Sequence, residues 1–235
     1  ALIIVSIISI ILIQPDLGSS AVIFVSVLGV LFVAGVKIKQ FLLVALLGLI
    51  AIALMIVFVP WRWERIMSFV DPWSDPWGTG YQLTLSLMSI GRGDWFGVGL
   101  GQGLMKMGYL PDAHTDFIFS VIVEETGILG GLAIVSLLFG LSFRIFHIGR
   151  ESLVRKNFFG FYFSYGVALL LGLHTFINVG VACGLLPTKG LTLPLISAGG
   201  TNLIVVCLMI GLILRVDYEN KTSMPVQIIK RRAEF

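Results

Sequence analysis

The carboxylate best placed for chemistry in this sequence is Asp116. It closes the run Pro111-Asp112-Ala113-His114-Thr115-Asp116 and is followed at once by the apolar Phe117-Ile118-Phe119. A carboxylate at the start of an apolar helix is stabilised by the helix dipole, and that structural role is one reading. The same position is also a water–lipid boundary, where partial desolvation and a lipid-anchored reactant suit a general base. Glu124 and Glu125 follow within the next apolar run. Ionisable groups inside a membrane span are costly, which makes them functional candidates by default. At about 100° per residue, Glu124 falls roughly 80° round from Asp116 and Glu125 opposite it. That phase predicts Glu124 as the one to share a cavity with Asp116, against the alternative of a buried Glu bonded to a neighbouring helix. Lys189 lies between Pro187 and Pro194, a rigid presentation suited to neutralising a phosphate as a point charge; the alternative is an interfacial Lys that snorkels. His174 and Asn178, four apart and so on one helix face, are expected to bond between helices rather than to bind metal.

These groups flank one unusual segment. Residues 60–116 hold all five tryptophans, Trp61, Trp63, Trp73, Trp77 and Trp95. Trp favours the headgroup region, so the loop is expected to lie flat on the bilayer, with Tyr81–Ile90 as a short interfacial helix. Its charges are Glu64, Asp71, Asp75, Asp94, Asp112 and Asp116 against Arg62, Arg65, Arg92 and Lys106. Gly91, Gly93, Gly97, Gly99, Gly101 and Gly103 follow no strand and match no nucleotide fingerprint, which excludes a phosphate-cradling loop.

The elements that must hold this loop are apolar helices. The chain is 57% hydrophobic and 12% charged, with a mean hydropathy of +1.00. A soluble domain is about one-quarter charged, so lipid is the main solvent. Six apolar runs, at 1–13, 18–36, 41–59, 117–143, 158–186 and 191–214, predict an all-α, polytopic helical bundle of six spans. Gln14-Pro15-Asp16-Leu17-Gly18 separates the first two. The loops 37–40 and 144–157, with the tail from 215, carry 11 of the 16 basic residues. The positive-inside rule therefore makes that set cytoplasmic, including a 215–235 tail, and places 60–116 and 184–192 outside. Cys183 and Cys207 sit in apolar runs and read as small hydrophobes. A net charge of +3 is too small to imply nucleic acid. Because Ala1 already lies in an apolar stretch, residues 1–235 are expected to be one membrane domain from the C-terminal part of a longer protein.

Several segments together resemble the FtsW/RodA/SpoVE (SEDS) family of bacterial shape, division and sporulation proteins. They are Gln14-Pro15-Asp16-Leu17-Gly18, Asp71-Pro72-Trp73, Gly80-Tyr81-Gln82, Tyr109 to Phe119, Glu124-Glu125-x-Gly127 and Leu186 to Ser197. One departure is Ser197-Ala198-Gly199-Gly200-Thr201-Asn202, where the family usually has a tyrosine after the serine. The resemblance implies ten spans with both termini cytoplasmic, these six being the last. It implies a peptidoglycan glycosyltransferase of the bacterial inner membrane that polymerises lipid II, closest to the division members and acting at the septum. An elongation polymerase and a lipid II flippase are the alternatives. The family's essential loop aspartate falls on Asp116, giving it the base role. Lys189, Arg62 and Arg65 would face the leaving pyrophosphate, with His114, Thr115, Glu124 and Ser197 as further substrate-binding candidates. A divalent cation (Mg or Mn) fits that chemistry. The expected partners are undecaprenyl-pyrophosphate-linked glycan, a class B penicillin-binding protein and other divisome proteins.

Overall fold

A computed structural model of the chain describes residues 17–222, apart from the side chains of Leu17 and residues 60–62. Its elements are α1 (Leu17–Val33), α2 (Ile38–Val57), α3 (Pro60–Val70), α4 (Tyr81–Gly93), a 3₁₀ turn (Met105–Met107), α5 (Ile118–Val154), α6 (Phe158–Ala182) and α7 (Gly200–Thr222). No strand occurs among the described residues. Four helices, α2, α5, α6 and α7, are long and apolar enough to cross a membrane, and α1 is a shorter apolar helix. The run expected at 1–13 lies outside the described residues, as do Gln14-Pro15-Asp16 and residues 223–235 of the tail. None of α2 is buried in protein. A helix this apolar with so little protein cover must find its apolar solvent elsewhere, which is the case for lipid in its simplest form.

Three boundaries move from the sequence expectation. The run expected at 117–143 continues as helix to Val154, so Arg144 and Arg150 ride on α5 rather than in a loop. The run at 158–186 ends at Ala182, where Gly184 (φ 68) lets Gly184 and Leu185 donate back to Val181 and Gly180. The run at 191–214 is helical only from Gly200, and it carries on to Thr222. Apolar composition tracks the hydrocarbon layer. Helices outrun that layer into water and stop early where proline and glycine forbid them.

The largest departure is α4. It is not a surface helix. Leu83, Thr84, Leu85, Ser86, Ser89 and Gly93 are buried against α5 and α6. Ser86, Ser89 and Gly93 recur every three or four residues and form a small, polar stripe that lets helices approach closely. Ser86 Oγ bonds Ser120 Oγ at 2.5 Å and donates to Ala182 O at 2.8 Å, and Ser89 Oγ donates to Ser120 O at 3.0 Å. Gly93 lies so close to the Val123 carbonyl that a β-carbon would overlap it. Polar partners and close packing, not a lipid surface, decide where this semi-apolar helix goes. Trp63, Trp73, Trp77 and Trp95 remain exposed around it.

α5 is broken at Gly127, between two and three turns from its start at Ile118. Gly127 has φ 75 and ψ 179, a region open to glycine alone. Loop backbone fills the break. Val98 and Gly99 N–H donate to the carbonyls of Glu124 and Glu125, and Ile128 N–H donates to Asp94 O at 2.8 Å. Broken backbone at membrane depth is tolerated when protein satisfies it in this way. A β-carbon on Gly127 would sit 2.2 Å from Trp95 O. In an ordinary helix, Gly→Ala stabilises by about 1 kcal/mol. Here Gly127→Ala is expected to destabilise by about 2 kcal/mol or more, since a side chain must adopt positive φ against a carbonyl. Thermal unfolding of the full-length variant gives the sign directly.

Candidate active site

Asp116 is built by a turn, not a helix. Pro111 precedes Asp112, which adopts φ 55, a left-handed conformation that Asp tolerates. The Asp112 carbonyl then accepts from Thr115, Asp116 and Phe117 N–H at 3.1, 3.1 and 3.2 Å. Ala113 and Phe117 anchor the turn in an apolar cluster with Leu110, Leu85 and Val181. Helical phase therefore does not run back from Glu124 to Asp116, because α5 begins only at Ile118.

Three consecutive carbonyls of this segment are held by α6 and the chain that follows it. His114 O accepts from Ala198 N–H at 2.9 Å, and Thr115 O accepts from Ser197 Oγ at 2.5 Å. Asp116 O accepts from Asn178 Nδ2 at 2.8 Å. With the carbonyls turned into the protein, the half-buried Asp116 presents its carboxylate to the 187–194 loop. A β-carbon built on Gly190 would lie 3.3 Å from Asp116 Oδ2. Lys189, the next residue, is half-buried on the same loop.

A polar cavity of about 460 Å³ opens beside this junction. Glu64 and Arg65 of α3, Gly78 and Thr79, Tyr81 and Gln82 of α4, Pro111 and Thr188 line it. Arg65 thus faces the same cavity as the residues next to Lys189 and at the head of the Asp116 turn. The Arg62 side chain lies outside the described residues. His114 is exposed beside Asp116, and Thr115 Oγ1 donates to Asp112 O at 3.3 Å.

Two of the expected substrate-binding residues have structural partners. Ser197 is buried, and its hydroxyl also accepts from Leu193 N–H at 2.7 Å, so it braces the loop. Glu124 is fully buried, and its carboxylate accepts from Arg92, Leu104 N–H, Met105 N–H and Ser89. Its neighbour Glu125 pairs with Lys106 at 2.5 Å and accepts from Gly101 N–H at 3.0 Å. The two carboxylates bind loop 94–107 onto the break in α5. Arg92 and Lys106 show in sequence only as loop cations, and nothing in their spacing assigns them these partners. Asn178 bonds between segments as expected, whereas His174 Nδ1 contacts Leu170 O of its own helix. Among the described residues no three Asp, Glu, His or Cys side chains converge on one point.

Residues 1–222 match the model of a family described as cell cycle protein, FtsW/RodA/SpoVE. The chain belongs to the FtsW/RodA/SpoVE family. It is 48% identical over 206 residues to the probable peptidoglycan glycosyltransferase FtsW of Aeromonas salmonicida (strain A449), covering 88% of this chain and 52% of that protein. The protein of the same description from Buchnera aphidicola subsp. Baizongia pistaciae (strain Bp) is 50% identical over 208 residues, covering 88% and 55%. That of Tolumonas auensis (strain DSM 9187 / NBRC 110442 / TA 4) is 46% identical over 220 residues, covering 94% and 57%. The fold matches a chain from a structure described as "Structural coordination of polymerization and crosslinking by a peptidoglycan synthase complex". There the TM-score is 0.71 at 31% identity, over 92% of this chain and 60% of that one. The chain thus spans a little over half the length of the FtsW relatives it matches.

Proposed function

We propose that this chain forms part of a peptidoglycan glycosyltransferase of the division type, which polymerises lipid II on the outer face of the bacterial cytoplasmic membrane. The observation that carries the reading is the meeting of Asp116 with the Lys189 loop, marked by the 3.3 Å approach of Asp116 Oδ2 to the β-carbon position of Gly190. A base and a cation presented from adjoining segments are what glycosyl transfer from a pyrophosphate requires. The donor is a growing strand on undecaprenyl pyrophosphate, and the acceptor is the sugar 4-hydroxyl of a new lipid II. The hydroxyl oxygen bonds to the anomeric carbon, the bond from that carbon to the pyrophosphate oxygen breaks, and Asp116 takes the hydroxyl proton. The pyrophosphate leaves with the bonding electrons, and Lys189 stabilises its growing charge with help from Arg65 and Arg62.

The relatives' names favour a septal role over an elongation role. The basic bias of the loops supports an outer position for α3, α4 and the site and a cytoplasmic C-terminus. A class B penicillin-binding protein is the expected partner, in keeping with the peptidoglycan synthase complex of the similar structure. A transporter would also use a broken helix and intramembrane carboxylates. Here loop backbone fills the break at Gly127, and Glu124 and Glu125 are held by loop donors, which supports the polymerase.

The test is lipid II polymerisation by the full-length protein, alone and with its transpeptidase. Translocation of lipid II with no glycan product would overturn the proposal. Within the same assay Lys189→Ala is expected to lower kcat about 10²–10³-fold, the scale of losing one group that stabilises developing negative charge. Lys189→Arg should recover part of it. Unchanged turnover in Lys189→Ala would remove the cation from the mechanism.

A further inference from the structure

We propose that Asn178 is a positioning residue that sets the spacing between Asp116 and the Lys189 loop, an inference that rests on the glycosyltransferase reading above. Asn178 lies on α6 and is buried, yet one of its atoms serves both halves of the site. Its Nδ2 donates to Asp116 O at 2.8 Å and to Leu191 O at 2.5 Å. The first carbonyl belongs to the base. The second lies two residues beyond Lys189 and one beyond Gly190, the residue that Asp116 Oδ2 approaches. An amide NH₂ has two hydrogens in a fixed plane, so a single rigid group holds the two segments in register.

The Ser120 and Val121 N–H groups both donate to Phe117 O, which leaves Asp116 O outside the α5 ladder. Ser197 and Ala198 secure the two preceding carbonyls from the far end of the same loop. Asn178 thus hydrogen-bonds both the Asp116 backbone and the loop. Its Oδ1 is buried and has no hydrogen-bond partner among the described residues. Burying an acceptor in that state is unfavourable. Packing does not account for an amide here, whereas the two donor bonds do. An alanine in place of Asn178 would leave the loop free to move by about an ångström. Misplacement on that scale is enough to cost two orders of magnitude in rate when two groups must act on one substrate.

The experiment measures kcat and KM of lipid II polymerisation with full-length Asn178→Ala, Asn178→Ser, Ser197→Ala and Asp116→Asn. Asn178→Ala is expected to lower kcat about 10–100-fold with KM within about threefold, because spacing of reacting groups is lost and substrate binding is not. Asn178→Ser keeps one donor and should fall between. A folded Asn178→Ala with kcat within about twofold of the parent would overturn the proposal. So would a rise in KM at constant kcat, which marks a binding role. If Asn178→Ala does not fold, Asn178→Ser decides by the same criterion. If that fails too, Ser197→Ala decides, since it frees the neighbouring carbonyl of Thr115 and must lower kcat at constant KM. An Asp116→Asn protein with full turnover would instead sink the glycosyltransferase mechanism, and with it the group that Asn178 positions.

Discussion

Asp116→Asn is expected to lower the rate of lipid II polymerisation by the full-length protein about 10²–10⁴-fold, the range spanned by removing a general base. The substitution keeps the shape of the side chain and the backbone it hangs on. The Asp112-centred turn uses only main-chain groups of residue 116, and the Asn178 bond uses its carbonyl, so neither changes. What is lost is a proton acceptor, and with it the negative charge beside the Lys189 loop. The expected signature is a fall in kcat with unaltered melting and unaltered lipid II binding. Asp116→Glu keeps the carboxylate but displaces it by about one methylene relative to the Lys189 loop, and misplacement of a reacting group on that scale is costly. It should therefore recover little. Normal turnover by Asp116→Asn would leave the base unassigned, since Glu124 is held by four donors and Glu125 by Lys106.

Apolar periodicity made the helices legible, because hydrocarbon selects by length and composition. Five of the six runs correspond to helices of the described chain, and the sixth lies outside it. The ends were less legible. Arg144 and Arg150 stay helical, and Leu191 to Gly199 does not, because helix ends depend on capping and proline rather than hydropathy. Asp116 stood out in sequence because it sits at a boundary that composition alone can find. The fate of α4 was hidden: YQLTLSLMSI has the amphipathicity of an interfacial helix, and only the positions of Ser120, Ala182 and Glu124 show that its serines face protein. The glycines of 91–103 match no fingerprint in sequence. At Gly97 the reason for a glycine is contact, since a β-carbon would lie 2.2 Å from Glu125 O at the helix break. Such long-range approaches leave no local periodicity to read.

Glu124→Ala is expected to destabilise the full-length protein by about 3–5 kcal/mol, the scale of breaking a buried ion pair from one side. Glu124 has no exposed surface, and its Oε1 accepts from Arg92 at 2.9 Å and from Leu104 N–H at 3.0 Å. Oε2 takes Met105 N–H at 3.3 Å and Ser89 Oγ at 3.4 Å. Alanine leaves a guanidinium and two backbone donors with nothing to accept from them, and each orphaned buried N–H alone costs about 1–3 kcal/mol. Arg92 is over one-third exposed and turns partly to water, which sets the loss nearer the lower end. Glu124→Gln keeps one acceptor oxygen but aims an NH₂ at donors, so it should fall between alanine and the parent. Because the carboxylate fastens loop 94–107 across the gap at Gly127, its removal should free the loop before the bundle melts. Hydrogen exchange at Val98 and Gly99, which donate to the Glu124 and Glu125 carbonyls, reads that opening. Arg92→Ala removes the cation but leaves the backbone donors in place, and should open the loop less. A Glu124→Ala protein that unfolds like the parent, with those two amides still protected, would show that the glycine contacts at Gly93, Gly97 and Gly127 hold the loop without the carboxylate.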